Sequence, residues 1–181
     1  MAEEQCFVII KPDGLVKSLT GNIISMLSET KLKIVGSKIV KVSQELAEKH
    51  YGKLKSELME RHGDEKGKKI YNEVLDYIKG KYHTDRVLAL VYHGENAIEK
   101  IRNLCGKTNP EEADSITIRG KYGRINSKTG VFENVVHASD SKETAEKEIK
   151  LWFKPQELTE TIYPTQNKAC KNCKTQELVW K

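Results

Sequence analysis

Seven consecutive residues, NVVHASD at 134–140, set a histidine among an asparagine, a serine and an aspartate. An imidazole with an unperturbed pKa of about 6.5 is mostly neutral at pH 7, so His137 can attack phosphorus or pass protons. As a nucleophile it must be held in one tautomer by ring hydrogen bonds and face a phosphate neutralised by several donors. Asn134 and Ser139 are local hydrogen-bonding groups, and Glu148 lies further along the charged stretch that follows. Elsewhere stand the groups a triphosphate needs: Lys11 in KPDG, Arg102 and Thr108 in RNLCGKT, and Arg119 in TIRG. Arginine supplies a fork of donors to phosphate oxygens and lysine a point charge. A lone histidine at a strand end is more often structural than reactive, and it is these distant cations that turn His137 towards catalysis.

Such side chains meet only where strand and helix ends converge. CFVII, 6–10, is a continuous apolar run, read as a buried central strand stopped by a turn at KPDG. Ile23, Ile24 and Leu27 mark a helix, and LKIVGSKIVKV, 32–42, a strand with an irregularity at Gly36. Ser43 is placed to cap one helix carrying Leu46, Ala47, His50, Tyr51, Leu54 and Leu58, with Gly63 ending it. Ile70, Tyr71, Val74, Leu75 and Ile78 form a second stripe, RVLALVY at 86–92 a strand, and Ala97, Ile98, Ile101 and Cys105 a third helical face. The stretch 106–130 reads as irregular, NVVHAS as extended, and Asp140 with Glu143 as a capping box for a helix through Trp152. This order predicts an α+β fold: a ferredoxin-like βαββαβ antiparallel sheet with an inserted helical hairpin and flanking helices.

The blocks FVIIKPDG, HY at 50–51, RNLCGKTNP, TIRG, NVVHASD and AEKEIKLWF occur in an order that resembles the nucleoside diphosphate kinase family, from about Glu4 to Leu158. The four fixed positions of N-x-x-H-x-S-D alone would arise by chance about once in 1,000 chains of this length. The resemblance implies ping-pong transfer of a γ-phosphate between nucleoside and deoxynucleoside tri- and diphosphates such as ATP, with Mg²⁺ bridging the phosphates. It implies that His137 is the nucleophile that becomes phosphorylated. Lys11, Arg102, Thr108 and Arg119 match the family's phosphate ligands, Lys11 and Asn134 its ribose contacts, and Tyr51, Ser139 and Glu148 its supporting residues. It also implies a homo-oligomer, hexamer or tetramer.

The chain departs from that pattern in three places. Residues 1–158 read as the catalytic domain, with a helical insertion at about 53–85 and an extended loop at about 109–133; RGKYGRINSKTGVFEN, 119–134, reads as a solvated surface excursion, the alternative being a lid or subunit contact close to the site. Inside the insertion the base-stacking aromatic has no clean match, leaving Ile70 or Tyr71 as the candidate. Residues 159–181 read as an arm whose CKNC has the spacing of half a zinc site, too few ligands for a tetrahedral set, so no protein-bound metal is expected.

Charge and composition leave other classes behind. A net charge of +5 attracts phosphates, nucleic acid or anionic surfaces alike. An RNA-recognition sheet would need exposed aromatics among basic residues, and FVII and VLALV have none in that pattern, so nucleic acid is not the expected main partner. The acidic start is no secretory signal, no run approaches the roughly 18 apolar residues of a membrane helix, and the four irregularly spaced cysteines read as reduced thiols. The expected compartment is the cytoplasm.

Overall fold

A computed structural model of the chain describes residues 3–169 and 176–181. In chain order its first half runs β1 (Glu3–Ile10), α1 (Pro12–Val16), α2 (Thr20–Ser28), β2 (Lys33–Lys41), α3 (Gln44–His50), α4 (Leu54–His62), α5 (Asp64–Ile78) and β3 (Arg86–Glu95). There follow α6 (Ala97–Cys105), α7 (Ile118–Tyr122), β4 (Arg124–Ile125), β5 (Phe132–Glu133), β6 (Val136–Ala138), α8 (Lys142–Trp152), β7 (Thr165–Ala169) and β8 (Gln176–Trp180).

CFVII lies in β1, and each residue from Cys6 to Ile10 is fully buried because both faces of the sheet are covered. Cys6, Val8 and Ile10 pack with Ile23 and Leu27 of α2 and Ile98 and Ile101 of α6. Phe7 and Ile9 project the other way, onto Ala47 of α3, Leu75 and Ile78 of α5, and Ile149 and Trp152 of α8. Each buried aliphatic of this kind stabilises the fold by roughly 1.5–3 kcal/mol. The four strands pair antiparallel in the order β2-β3-β1-β6, the expected ferredoxin-like βαββαβ arrangement, with α3–α5 between β2 and β3. The β2–β3 register shifts between Ile34 and Gly36, at the anticipated irregularity.

Several local expectations are corrected. KPDG is not a simple turn: Lys11 is the N-cap of α1 and Pro12 its first residue, where a missing N–H costs nothing. The helix expected from Ser43 to Gly63 is two, broken after His50 around Gly52, although Ser43 caps the first by accepting from the Leu46 amide and Gly63 ends the second. Helix α8 is capped by Ser141, which accepts from the Thr144 amide at 3.1 Å, not by Asp140. The stretch 106–130 contains α7, capped by Thr117, and the start of the β4–β5 hairpin. In the expected arm, β7 and β8 pair as a hairpin, and the Trp180 indole donates to the Phe153 carbonyl at 2.8 Å. The CKNC cysteines lie outside the described residues.

Candidate active site

The site begins where β1 ends. The Lys11 amide donates to the Val135 carbonyl at 2.9 Å, and the Asp13 carboxylate accepts from the Val135 amide at 3.0 Å. A Cβ on Gly14 would come within 3.1 Å of that carbonyl, so a larger residue would push the segments apart. Val135, held from both sides, has φ 54°, and the Val136 amide closes a γ-turn onto the Asn134 carbonyl at 2.6 Å. A β-branched residue in that region costs of order 1–3 kcal/mol and persists only because its surroundings fix it. The turn aims Asn134 at Lys11, whose ammonium donates to Asn134 Oδ1 at 2.7 Å, while Asn134 Nδ2 donates to the Thr108 carbonyl at 2.8 Å.

One residue past the turn, β6 pairs with β1 and sets His137 opposite Ile9, on the face that α8 covers. His137 Nε2 lies 2.9 Å from Glu148 Oε1, and the Ser139 hydroxyl donates to Glu148 Oε2 at 2.5 Å. An ionised carboxylate only accepts, so Nε2 carries the proton and Nδ1 keeps its lone pair. His50 stands edge-on to His137, ring centroids 4.7 Å apart, and takes the Trp152 indole N–H on Nδ1 at 3.3 Å. Burial first, then the neighbouring His137, Lys11 and Lys147, hold His50 well below the usual imidazole pKa. Having no proton on Nδ1, His50 does not compete for Glu148, 3.6 Å away. His50, His137 and Glu148 bring ligand atoms within 4.8 Å of one another, the spacing of a metal cluster, but His137, Glu148 and Ser139 are linked by hydrogen bonds and His50 is taken up by Trp152.

These groups share a cleft of about 1510 Å³ with Lys11, Tyr51, Arg102, Thr108 and Arg119. Arg102 is exposed on α6 and Thr108 on the loop beyond, whereas Arg119 on α7 is only 5% exposed. Its guanidinium donates to the Gly106 carbonyl at 2.7 Å and twice to the Val136 carbonyl. Ser139 is buried behind Glu148, outside the cleft lining. Of the two base candidates, Ile70 lines the cleft with Leu54, Val74 and Val131, while Tyr71 is packed in the core layer at 6% exposure. Sequence reading missed Asp13, Trp152 and Tyr77 as site residues, the last with its ring 5.7 Å from the Lys11 ammonium; it placed His50 on a helical stripe and in the HY block without giving it a role. Asp13 stands inside KPDG but its partner lies far along the chain, and Tyr77 looked like one more residue of an amphipathic helix.

A family model for nucleoside diphosphate kinase matches residues 4–158. The chain belongs to the nucleoside diphosphate kinase family. The kinase of Pyrococcus furiosus is 44% identical over 157 residues, 87% of each chain, and that of Staphylococcus carnosus 44% identical over 86% of this chain and 91% of its own. Among solved structures, a nucleoside diphosphate kinase from Borrelia burgdorferi, a transition-state mimic with bound vanadate and ADP, superposes with a TM-score of 0.74 at 33% identity. That alignment covers 86% of this chain and 90% of the other. An NDP kinase from Pyrobaculum aerophilum gives 0.76 at 31% identity, over 88% and 100%. The protein is therefore a nucleoside diphosphate kinase, a phosphotransferase of nucleoside di- and triphosphates, and kinases of this family generally need a divalent cation. Among the described residues no helix is long and apolar enough to cross a membrane.

Proposed function

We propose that His137 carries the phosphoryl group in a two-step exchange. Nδ1 attacks the γ-phosphorus of a nucleoside triphosphate, a P–N bond forms as the P–O bond breaks, and the diphosphate leaves. A second diphosphate then attacks the same phosphorus through its terminal oxygen and returns the histidine. The observation that carries this reading is the pairing of His137 Nε2 with Glu148, which keeps Nδ1 unprotonated in a cleft whose many cations include Lys11, Arg102 and Arg119. Lys11, Arg102 and Arg119, with Thr108, bind the phosphates; Asn134 and Lys11 meet the ribose; Tyr51, Ser139 and Glu148 support them. Ile70 supports the base from one wall and Val131 from the other. Such a platform accepts any base, because an aliphatic wall offers area without hydrogen-bond demands.

Mg²⁺ would enter with the nucleotide as part of the substrate and would neutralise charge that develops on the phosphates. The three-ligand cluster found among the described residues offers two imidazoles, a donor set that magnesium disfavours, which supports a metal held by the nucleotide. Residues 1–158 form the catalytic unit, with its insertion at about 53–85 and loop at about 109–133, and 159–181 an arm or tail, which Trp180 ties back to Phe153. Edge strand β2 leaves Ile34 45% and Ile39 58% exposed, which supports assembly of copies into a hexamer or tetramer. The compartment is the cytoplasm.

Incubation with γ-labelled ATP and Mg²⁺ tests the reading. The expected product is a label on the protein that survives alkali, is lost in acid, is discharged by GDP and does not form in EDTA. An acid-stable label, or one that GDP leaves in place, would overturn it.

Lys11 gives this site a pH limit. Burial, opposed by Asp13 and reinforced by Arg119, pushes its ammonium down to about 8. Its folded pKa lies below its unfolded one, so the apo protein should gain stability between about pH 8 and 10, while nucleotide affinity falls as the free ammonium loses its proton. Melting curves and KM for ATP over that range check both signs, and a KM flat to pH 10 would contradict the assignment of Lys11 to the phosphates.

A further inference from the structure

Glu133, next in sequence to Asn134, has a side chain only 1% exposed and four nitrogen neighbours from three parts of the chain. The Arg124 guanidinium donates to Oε2 at 2.6 Å and the Asn126 amide to Oε1 at 2.8 Å. Lys17, just past α1, reaches Oε2 at 3.4 Å, and His83, after α5, lies 3.2 Å from Oε1. Burial pushes this carboxyl up, and Arg124 and Asn126 overcome that, holding it at about 2. A carboxylate satisfied in this way stays charged and is costly to move.

What the carboxylate joins are the walls of the cleft. Arg124 and Glu133 are cross-strand partners in the β4–β5 hairpin, whose turn is tied by Asn126 Oδ1 accepting from the Lys128 and Thr129 amides. That hairpin carries Val131 and Phe132 into one wall, while Leu54, Ile70 and Val74 of α4 and α5 line another part of the same cleft. His83 stands edge-on to Tyr77 of α5 at 5.9 Å, and the Tyr77 ring in turn lies beside the Lys11 ammonium. The segment between Tyr51 and β3 and the loop before Asn134, where the chain departs from the family pattern, thus meet on one side chain.

We propose that Glu133 is a positioning residue for the nucleoside half of the substrate. It fixes the hairpin wall against the exit of α5 and, through Asn134, the ribose position, and it touches neither substrate nor His137. The inference rests on the two-step exchange proposed above.

The test compares two phosphoryl donors on the full-length Glu133→Gln protein: ATP, which must fit the whole cleft, and phosphoramidate, which carries no nucleoside. KM for ATP and for GDP should rise roughly ten-fold, about what loss of one charged hydrogen-bond set is worth, with kcat and the phosphoramidate rate unchanged. His83→Gln and Lys17→Met, each removing one arm, should shift KM in the same direction by less, and they decide the matter should Glu133→Gln fail to fold. An equal loss with both donors would make Glu133 a general structural clamp and overturn the proposal, as would an unchanged KM in a folded variant. Wild-type protein that accepted phosphate from neither donor would instead sink the assignment of His137.

Discussion

His137→Ala is expected to abolish both the phosphoenzyme and nucleotide exchange, because it removes the atom to which phosphorus bonds. The loss differs in kind from that of a donor: weakening a transition-state contact slows a pathway, whereas removing the nucleophile deletes it. His50, one ring away, offers no substitute, since its Nδ1 is bonded to Trp152 and its side chain is 1% exposed. The variant should still fold. Glu148 keeps the Ser139 hydroxyl and loses only the imidazole, a cost of about 1–3 kcal/mol. His137→Gln, which retains a donor, should melt closer to wild type and be equally inactive. An alkali-stable label on either variant would refute the role of His137.

Arg119→Ala should fail in two ways at once. Loss of one preorganised donor to the transferring group costs about 3 kcal/mol, some 100-fold in rate. The structure adds a second loss, because the same guanidinium bonds the carbonyls of Gly106 and Val136, the residue before the nucleophile. Leaving two buried carbonyls unpaired costs about 1–3 kcal/mol each, which in a chain of this size lowers the melting temperature by roughly 4–24 °C. Arg119→Lys keeps the charge without the fork and should recover part of the rate but little of the stability. Single-turnover rates beside melting curves separate the two, and a variant that is slow yet melts like wild type would show the carbonyl contacts to be dispensable.

The strands and the helix faces were legible because burial writes itself into the sequence. CFVII reads as a central strand because side chains on both its faces are covered. That Lys11, Arg102 and Arg119 would share one cleft was legible through family motifs rather than spacing, since Lys11 and Arg119 meet only after the sheet assembles. What escaped notice lacks a period or a local signature. Five-residue α7 completes little more than one turn, and Gly52 breaks a helix whose apolar stripe continues through it. The Asp13 carboxylate finds its partner 122 residues away, and Glu133 gathers donors from positions 17, 83, 124 and 126. Chemistry of that kind is a property of closure, not of any one segment.

The strained turn at Val135 binds discomfort to burial. Glycine there would relax the backbone by about 1–3 kcal/mol, but the valine side chain is fully buried in the core, and deleting it forfeits roughly 1.5–3 kcal/mol and leaves a cavity. Val135→Gly should therefore melt no higher than wild type and, by loosening Asn134 from His137, exchange phosphate more slowly, a pair of results that melting curves and exchange rates check. Evolution towards a hotter habitat would then gain nothing by relieving this one uncomfortable residue and would have to find its stability elsewhere in the chain.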